Sequence, residues 1–377
     1  LVQPKRIVFV SSLRRYGGGE RWMLDTASGL RARGHDARLI ARPGSVLATR
    51  APARGIPLTE LEMRGDVDPI AVATLTAVVR RFQPHVVVPN LDREIRLAAA
   101  AIRAARALRP RPAKPRLIPR RGSEFPLKNK RHYRIVYTAD VDRVIVNSEA
   151  TKRTMVRDAP WFPESKAVVV YNGIDVGPYE ALAARRDEVR AKLRALIGAP
   201  RDAPVIALVG ELNERKQQRA VIEAAPHVLE RFPDTRILFV GDGDDRADLE
   251  KSIRERGLEG SILIQGFRFD VPEIIAGSDA LILPSRVEGF GYVLIEAMAS
   301  AVPCIASNVS SIPEIVQDGV TGILHPVGDI GGIANAINFL LANPEAARAM
   351  GEAGQRVARE KFNFPAMLDQ VERVLFE

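Results

Sequence analysis

At 377 residues and 46% hydrophobic, the chain can bury two cores of ordinary size, and it contains no run of about 18 or more apolar residues that would span a bilayer. The net charge of +9 is split unevenly: residues 1–200 hold 38 Lys and Arg against 19 Asp and Glu (+19), and residues 201–377 hold 17 against 27 (−10), so the halves differ in electrostatic character. The single cysteine, Cys304, sits in the apolar run 302–306, which excludes an internal disulfide and reads as core.

The apolar stretch within residues 1–12 is too short for a signal peptide and reads as a strand, so a cytoplasmic location is expected. Strands are predicted over 6–11, 37–41, 58–63 and 85–89, and helices over 21–33 and 69–82, a βαβ succession. Tyr16-Gly17-Gly18-Gly19-Glu20 reads as a loop between the first strand and its helix. It does not match G-x-G-x-x-G, yet adjacent glycines admit a sugar or phosphate to the backbone about as readily as they make a tight turn. A helix over 93–109 puts Arg96, Arg103, Arg106 and Arg109 on one arc and Leu97, Ala101, Ala104 and Leu108 opposite. Arg111, Lys114, Arg116, Arg120, Arg121, Lys128, Lys130, Arg131 and Arg134 extend the charge. A solvated face explains much of this, but the density also suits anionic lipid headgroups or a phosphorylated acceptor, at about 1 kcal/mol per basic residue near a charged membrane. No nucleic-acid partner is expected, since the stretch has few aromatics and no recognition motif.

A strand over 144–147, a helix capped by Ser148 and running to 158, and a strand over 167–171 complete the first half, and a helical linker spans 187–196. The second half restarts with strand 205–209, followed by Gly210-Glu211-Leu212-Asn213-Glu214-Arg215-Lys216. Arg215 and Lys216 are read at the head of a helix, where cations oppose the helix dipole unless an anion lies between them, which hints at phosphate. Strands follow over 237–240 and 262–266, then strands 280–283 and 303–307 and helices 330–342, 344–361 and 362–377. Gly241-Asp242-Gly243-Asp244 lacks the third glycine of a nucleotide loop and the ligand spacing of a calcium loop, so it reads as a turn.

The stretch 284–296, PSRVEGFGYVLIE, follows a short buried strand and runs into a helix predicted over 292–300. Glu288 falls in the loop and Glu296 in the helix. Gly289 and Gly291 around Phe290 let backbone approach a ligand, and the N–H groups of the helix start suit a diphosphate. A carboxylate at Glu296 can accept bonds from vicinal ribose hydroxyls and Glu288 from a sugar; by residue type alone, a solvated loop charge and a surface helix residue is the preferred reading of the pair.

Glu288, Gly289, Phe290, Gly291 and Glu296 resemble the E-x7-E element of the retaining glycosyltransferases of family 4. The resemblance continues through Ala299-Ser300-Ala301-Val302-Pro303, Pro313-Glu314-Ile315-Val316 and Asp318-Gly319-Val320-Thr321-Gly322, in the family's order, and Asn172-Gly173-Ile174-Asp175 is similar to the turn with which the family leaves its first domain. It implies an α/β protein with two Rossmann-like domains facing each other across a cleft, the GT-B fold. Residues 1–174 would form the acceptor-side domain, 175–361 the nucleotide-sugar donor domain, and a helix over about 362–377 would pack back on the first.

The resemblance further implies transfer of a sugar, with retention, from a nucleotide-sugar donor to a glycan or lipid-linked acceptor, as in cell-envelope polysaccharide or glycolipid synthesis. Gly18 and Gly19 would face the donor, Phe267 would lie beside its base, and Arg215 and Lys216 would grip its diphosphate together with N–H groups near Phe290 and Gly291. Glu288 would hold sugar hydroxyls and Glu296 the ribose. The family's G-R-L-x-x-x-K-G element is matched in part: Lys216 fits, while Glu211 stands at the Arg position and Gln217 at the Gly. Where family members carry a donor-contacting histidine, this chain has Arg120-Arg121-Gly122; Arg121 is the expected substitute, with Arg120 on the same acceptor or sugar side. His35, His85, His132, His227 and His325 read as structural. No metal or cofactor is expected, the nucleotide sugar being a substrate, since cations and helix-start N–H groups would neutralise the leaving diphosphate and no D-x-D pair lies in a suitable loop. The alternatives are a nucleotide-sugar epimerase or hydrolase on the same fold, or a non-catalytic nucleotide-sugar-binding protein; peripheral contact with an anionic membrane is compatible with all of them.

Overall fold

The computed structural model describes residues 3–109 and 112–377. The chain divides into two compact units, residues up to Asn172 together with Pro365–Glu377, and Gly173–Phe364. In the first, β1 (Arg6–Ser11), β2 (Asp36–Ala41), β3 (Leu58–Glu60), β4 (Val86–Pro89) and β5 (Arg116–Leu117) pair in the order β3-β2-β1-β4-β5. A smaller sheet of β6 (Arg120–Arg121), β7 (Val144–Val146) and β8 (Ala167–Val169) pairs β6-β7-β8. In the second, β9 (Val205–Val209), β10 (Arg236–Val240), β11 (Ile262–Gly266), β12 (Ala280–Leu283), β13 (Cys304–Ser307) and β14 (Gly322–His325) run β11-β10-β9-β12-β13-β14.

Every strand pair is parallel, as in Arg6↔Asp36 and Val205↔Arg236. That is why β4 (VVVP) and β9 (VIALV) are apolar on both faces and wholly buried instead of alternating. Both units are Rossmann-like, and each reverses its strand order once, between β1 and β4 and between β9 and β12. Ligands of such sheets bind outside the carboxyl ends of the strands at that reversal.

Where the chain spells out its caps, the predicted bounds hold. The helix Pro69–Phe82 starts with Asp68 accepting the Ala71 N–H (3.0 Å) and proline in the first turn, and Ile330–Ala342 starts with Asp329 accepting the Gly332 N–H (2.8 Å). Two readings near the sites change. Helix Gly18–Ala32 begins three residues earlier than expected, because Glu20 turns back to accept the Gly17 N–H (3.1 Å), so Gly18 and Gly19 are its first turn and not a loop. Arg215 and Lys216 do not head a helix: Glu214–Lys216 is a 3-10 turn capped by Asn213, Gln217 follows with φ 57°, and the helix proper is Gln218–Leu229. The left-handed break detaches the two cations from the helix dipole, so the dipole mismatch is no argument for phosphate.

Other segments differ as well. Helix Val46–Ala53, with Pro52 inside, was not expected, nor were the two-residue β5 and β6 or the π-helical segment Val136–Asp140. The C-terminal helix Phe364–Phe376 packs on the first unit through buried Met367, Leu368, Val371 and Leu375; Arg33 pairs with Asp369 and Glu372 (2.7 Å each), and His35 Nε2 meets Glu372 (3.0 Å).

The arginine-rich stretch is less uniformly cationic than its composition. Helix Asp92–Ala107 has Arg103 bidentate on Asp140 (2.9 and 2.6 Å), and Arg96 pairs with Asp66 beneath the Tyr133 ring. Among the described residues, the side chains of Arg106, Arg109, Lys130 and Arg131 have no partner. Arg111 lies outside the described residues. No helix among the described residues is long and apolar enough to cross a membrane.

Candidate functional site

In the second unit the loops that leave β9 and β12 meet at the strand-order reversal, and the strongest polar contact there is between them. Lys216 Nζ donates to Glu288 Oε2 at 2.5 Å, and both side chains are only 10% exposed. Gly210 makes room for the lysine stem: a Cβ there would lie 3.2 Å from Lys216 Cε. Ser285 Oγ donates to the same Glu288 oxygen (3.3 Å), and Arg215 Nη1 lies 3.9 Å from Oε1 and 3.4 Å from the Val287 carbonyl. The Arg215 side chain is 45% exposed, so its guanidinium stands over the buried pair with donors still open to solvent. Glu211 accepts from Asn213 Nδ2 (2.9 Å), inside the same loop.

The turn after Glu288 folds back because Gly291 adopts φ 89°, and a Cβ there would also press on Leu294 Cδ1 at 3.1 Å. Ser311 Oγ donates to the carbonyls of Glu288 and Phe290 (3.3 Å each), and the Glu288 N–H is donated to Ser310 Oγ (3.3 Å). The loop is thereby held from below, with the Phe290 ring buried against Phe362 (6.0 Å). Helix Tyr292–Ala299 carries Glu296, 6% exposed, inside its second turn. Gly243 packs on the Leu212 backbone, so the turn 241–244 braces the β9 loop, a structural role. Phe267 follows β11, two strands away from β9; it is 67% exposed and lies edge-on to Phe269 (5.1 Å). Lys216, Arg215, Glu288 and the Gly289–Gly291 turn are thus brought together, while Phe267 stands after a strand two places away from β9.

The first unit has its own polar cluster at the β1/β4 reversal. Glu20 accepts from Asn90 Nδ2 (3.0 Å) as well as Gly17, and burial pushes its carboxyl above the ordinary range. Glu94, fully buried, accepts from the N–H groups of Ser12 (2.8 Å) and Leu91 (2.5 Å), and burial pushes it up to about 7. Arg120 is 4% exposed; it donates to Asn172 Oδ1 (3.3 Å), and its guanidinium lies 5.4 Å from the Trp22 ring centre.

Arg121 points the other way. It is buried on Asp92 (2.7 Å), Tyr137 Oη (3.1 Å) and the Phe125 carbonyl (3.0 Å), with Tyr137 also donating to Asp92 (2.9 Å). Neighbouring residues of a strand alternate faces, and here the alternation sends Arg121 into the packing between helix Asp92–Ala107 and the π-helical segment. Ser285, Ser310, Ser311, Asn90 and Asn172 were not foreseen as site residues. Glu20 alone left a signal, the glutamate three residues after Gly17 that marks a capped helix start.

Comparison with known proteins agrees with this geometry. Residues 189–357 match the family model described as Glycosyl transferases group 1, and residues 16–177 match Glycosyltransferase Family 4. The chain is 32% identical over 215 residues to the N-acetyl-alpha-D-glucosaminyl L-malate synthase of Bacillus anthracis, a match covering 57% of this chain and 55% of that protein, so it spans about half of that relative's length. It is 25% identical to the lipopolysaccharide core biosynthesis glycosyltransferase LpsE of Rhizobium meliloti over 94% of each chain. In fold it is similar to Anabaena HepE, solved in complex with UDP, with a TM-score of 0.84, 22% identity, and 98% of this chain and 99% of that one covered. With one family model on each Rossmann-like unit, the chain belongs to the glycosyltransferases of the group 1, family 4 type and has their GT-B fold.

Proposed function

We propose that the protein transfers a sugar, with retention and without a metal, from a nucleotide-sugar donor to a glycan or lipid-linked acceptor of the cell envelope. The observation that carries the reading is the Lys216–Glu288 pair at the β9/β12 reversal with the half-exposed Arg215 beside it. A donor diphosphate placed there would draw on Arg215, Lys216 and the N–H groups around Gly291, which face charge that grows on the β-phosphate as the glycosidic bond breaks. Glu288, fixed by Ser285 and Lys216, would accept sugar hydroxyls, and Glu296 the ribose hydroxyls. The leaving phosphate would take the acceptor proton, so no protein nucleophile is needed. UDP is the first base to try, because HepE was solved with UDP and with UDP-glucose. Arg106, Arg109, Lys130 and Arg131, whose side chains have no partner among the described residues, support docking on the anionic cytoplasmic face of a membrane.

Incubating the protein with UDP-, GDP- and ADP-sugars, with and without envelope lipid extracts, and assaying free nucleotide tests the reading. Acceptor-dependent nucleotide release that survives chelator is expected, falling roughly a hundredfold in Lys216→Ala. Isomerised donor with no nucleotide released would point to an epimerase, and binding without any turnover to a non-catalytic protein.

A further inference from the structure

Four non-glycine residues among the described residues have left-handed backbone: Gln83, Gln217, Ala301 and Ser310. Gln83 and Ala301 close the helices Pro69–Phe82 and Tyr292–Ala299, the ordinary place for such a residue, and their N–H groups turn back to the carbonyls of Val79 (3.1 Å) and Met298 (3.0 Å). The other two flank the Lys216–Glu288 pair. Gln217 directly follows Lys216, and Ser310 accepts the Glu288 N–H through its hydroxyl. A Cβ makes this conformation costly, so strain kept on both sides of one buried polar pair is a lead to function.

Ser310 lies between β13 and the short helix Ile312–Ile315 with φ 56°, and Ser311 after it is right-handed (φ −83°, ψ −6°). Successive side chains of extended backbone point to opposite sides. The left-handed residue breaks that alternation, and both hydroxyls reach the same turn. Ser310 Oγ takes the Glu288 N–H, while Ser311 Oγ donates to the Glu288 and Phe290 carbonyls (3.3 Å each). Among the described residues, Ser310 Oγ is the only acceptor of that N–H. Glycine at 310 would reach φ 56° without strain but would leave the Glu288 N–H unmatched, so the hydroxyl is what serine adds there. Holding this N–H holds the backbone from which the Glu288 carboxylate meets Lys216 Nζ at 2.5 Å.

We infer that Ser310 is a positioning residue for the sugar transfer: its left-handed backbone aims the hydroxyl at the Glu288 loop and sets the Glu288 carboxylate before the donor binds. This rests on the reading of the Lys216–Glu288 pair as the donor site. Ser310 acts through Glu288 and touches no substrate itself.

The test compares the full chain with Ser310→Gly, Ser310→Ala and Ser310→Asn in three measurements: hydrogen–deuterium exchange of peptides covering 286–292, melting temperature, and nucleotide release from UDP-, GDP- and ADP-glucose. Ser310→Gly loses the acceptor together with the strain, so it should melt within about 2 °C of wild type while the 286–292 peptides exchange several-fold faster. Its kcat should fall about tenfold with the donor KM changed less than about twofold, because a misplaced group beside the reacting sugar slows the step more than it loosens the nucleotide. Ser310→Ala keeps the strain and loses the hydroxyl, and should show the same faster exchange and slower turnover with a lower melting temperature. Ser310→Asn accepts the left-handed conformation and keeps an oxygen acceptor, so it should restore most of the protection and most of the turnover. Unchanged exchange at 286–292 in Ser310→Gly, full turnover despite faster exchange, or faster exchange spread over the whole second unit with a matching fall in melting temperature overturns the inference and leaves the glycosyltransferase reading standing. Wild type that releases no nucleotide from any of the three donors would instead count against that reading, and the exchange data would still decide whether Ser310 holds the Glu288 loop.

Discussion

Lys216→Ala has a consequence for stability that can be worked from the geometry before any activity is measured. The substitution leaves Glu288 buried without the ammonium that now lies 2.5 Å from it. Breaking a buried pair from one side costs about 3–5 kcal/mol. The lower end applies, since Ser285 Oγ stays at 3.3 Å and the half-exposed Arg215, at 3.9 Å, is close enough to take the lysine's place. For a unit of this size, about 3 kcal/mol lowers the melting temperature by roughly 6–12 °C. Glu288→Gln should cost a similar amount, because it strands the lysine. The double variant Lys216→Ala/Glu288→Gln leaves no unpaired charge, and should be less destabilised than the sum of the singles by about 1–3 kcal/mol. Differential scanning calorimetry of the four proteins closes the cycle. Single variants that melt within about 2 °C of wild type, or a double variant whose loss equals the sum, would show that the pair does not hold the two loops together.

The buried Glu94 makes stability depend on pH. Its carboxyl is held at about 7 against an ordinary 4.5, so the folded chain binds that proton more tightly; its contribution is complete below about pH 4.5 and is lost as pH rises through 7. Urea unfolding should show wild type losing on the order of 3 kcal/mol across that window relative to Glu94→Gln, and parallel profiles would refute it. On vesicles of anionic lipid at low salt, Arg106→Gln and Arg109→Gln should weaken sedimentation, while Arg103→Gln, whose charge Asp140 already neutralises, should do so less. Equal partition to neutral and anionic vesicles would leave the arginines as a solvated face.

Elements with local punctuation were legible in the sequence. Asp68 before Pro69 and Asp329 before Ile330 announce their helices, and the apolar runs of β1 and β9 announce buried parallel strands. The loop carrying Glu288 was legible through its two glycines, of which Gly291 does adopt the left-handed conformation. What stayed hidden depends on distant contacts. Two-residue strands such as β5 and β6 are too short to show any period, and Pro52 masks helix Val46–Ala53. Arg121 reads as the substitute for the family's donor-contacting histidine, because nothing adjacent to it reveals Asp92 and Tyr137 from other elements. Gln217 hides a left-handed break behind a residue that rarely makes one, so the two cations were placed in the helix rather than before it.

The central claim is a nucleotide diphosphate held at the β9/β12 reversal with its ribose on Glu296. Titration calorimetry of wild type, Lys216→Ala and Glu296→Ala with UDP, GDP and ADP, and with the matching nucleosides, tests it directly. One nucleoside diphosphate should bind wild type, and Glu296→Ala should weaken that diphosphate and its nucleoside by about 1.5–3 kcal/mol without lowering the melting temperature. Lys216→Ala should weaken the diphosphate and leave the nucleoside unaffected. A diphosphate that binds Glu296→Ala and Lys216→Ala as tightly as wild type would contradict the account, because the nucleotide would then lie elsewhere.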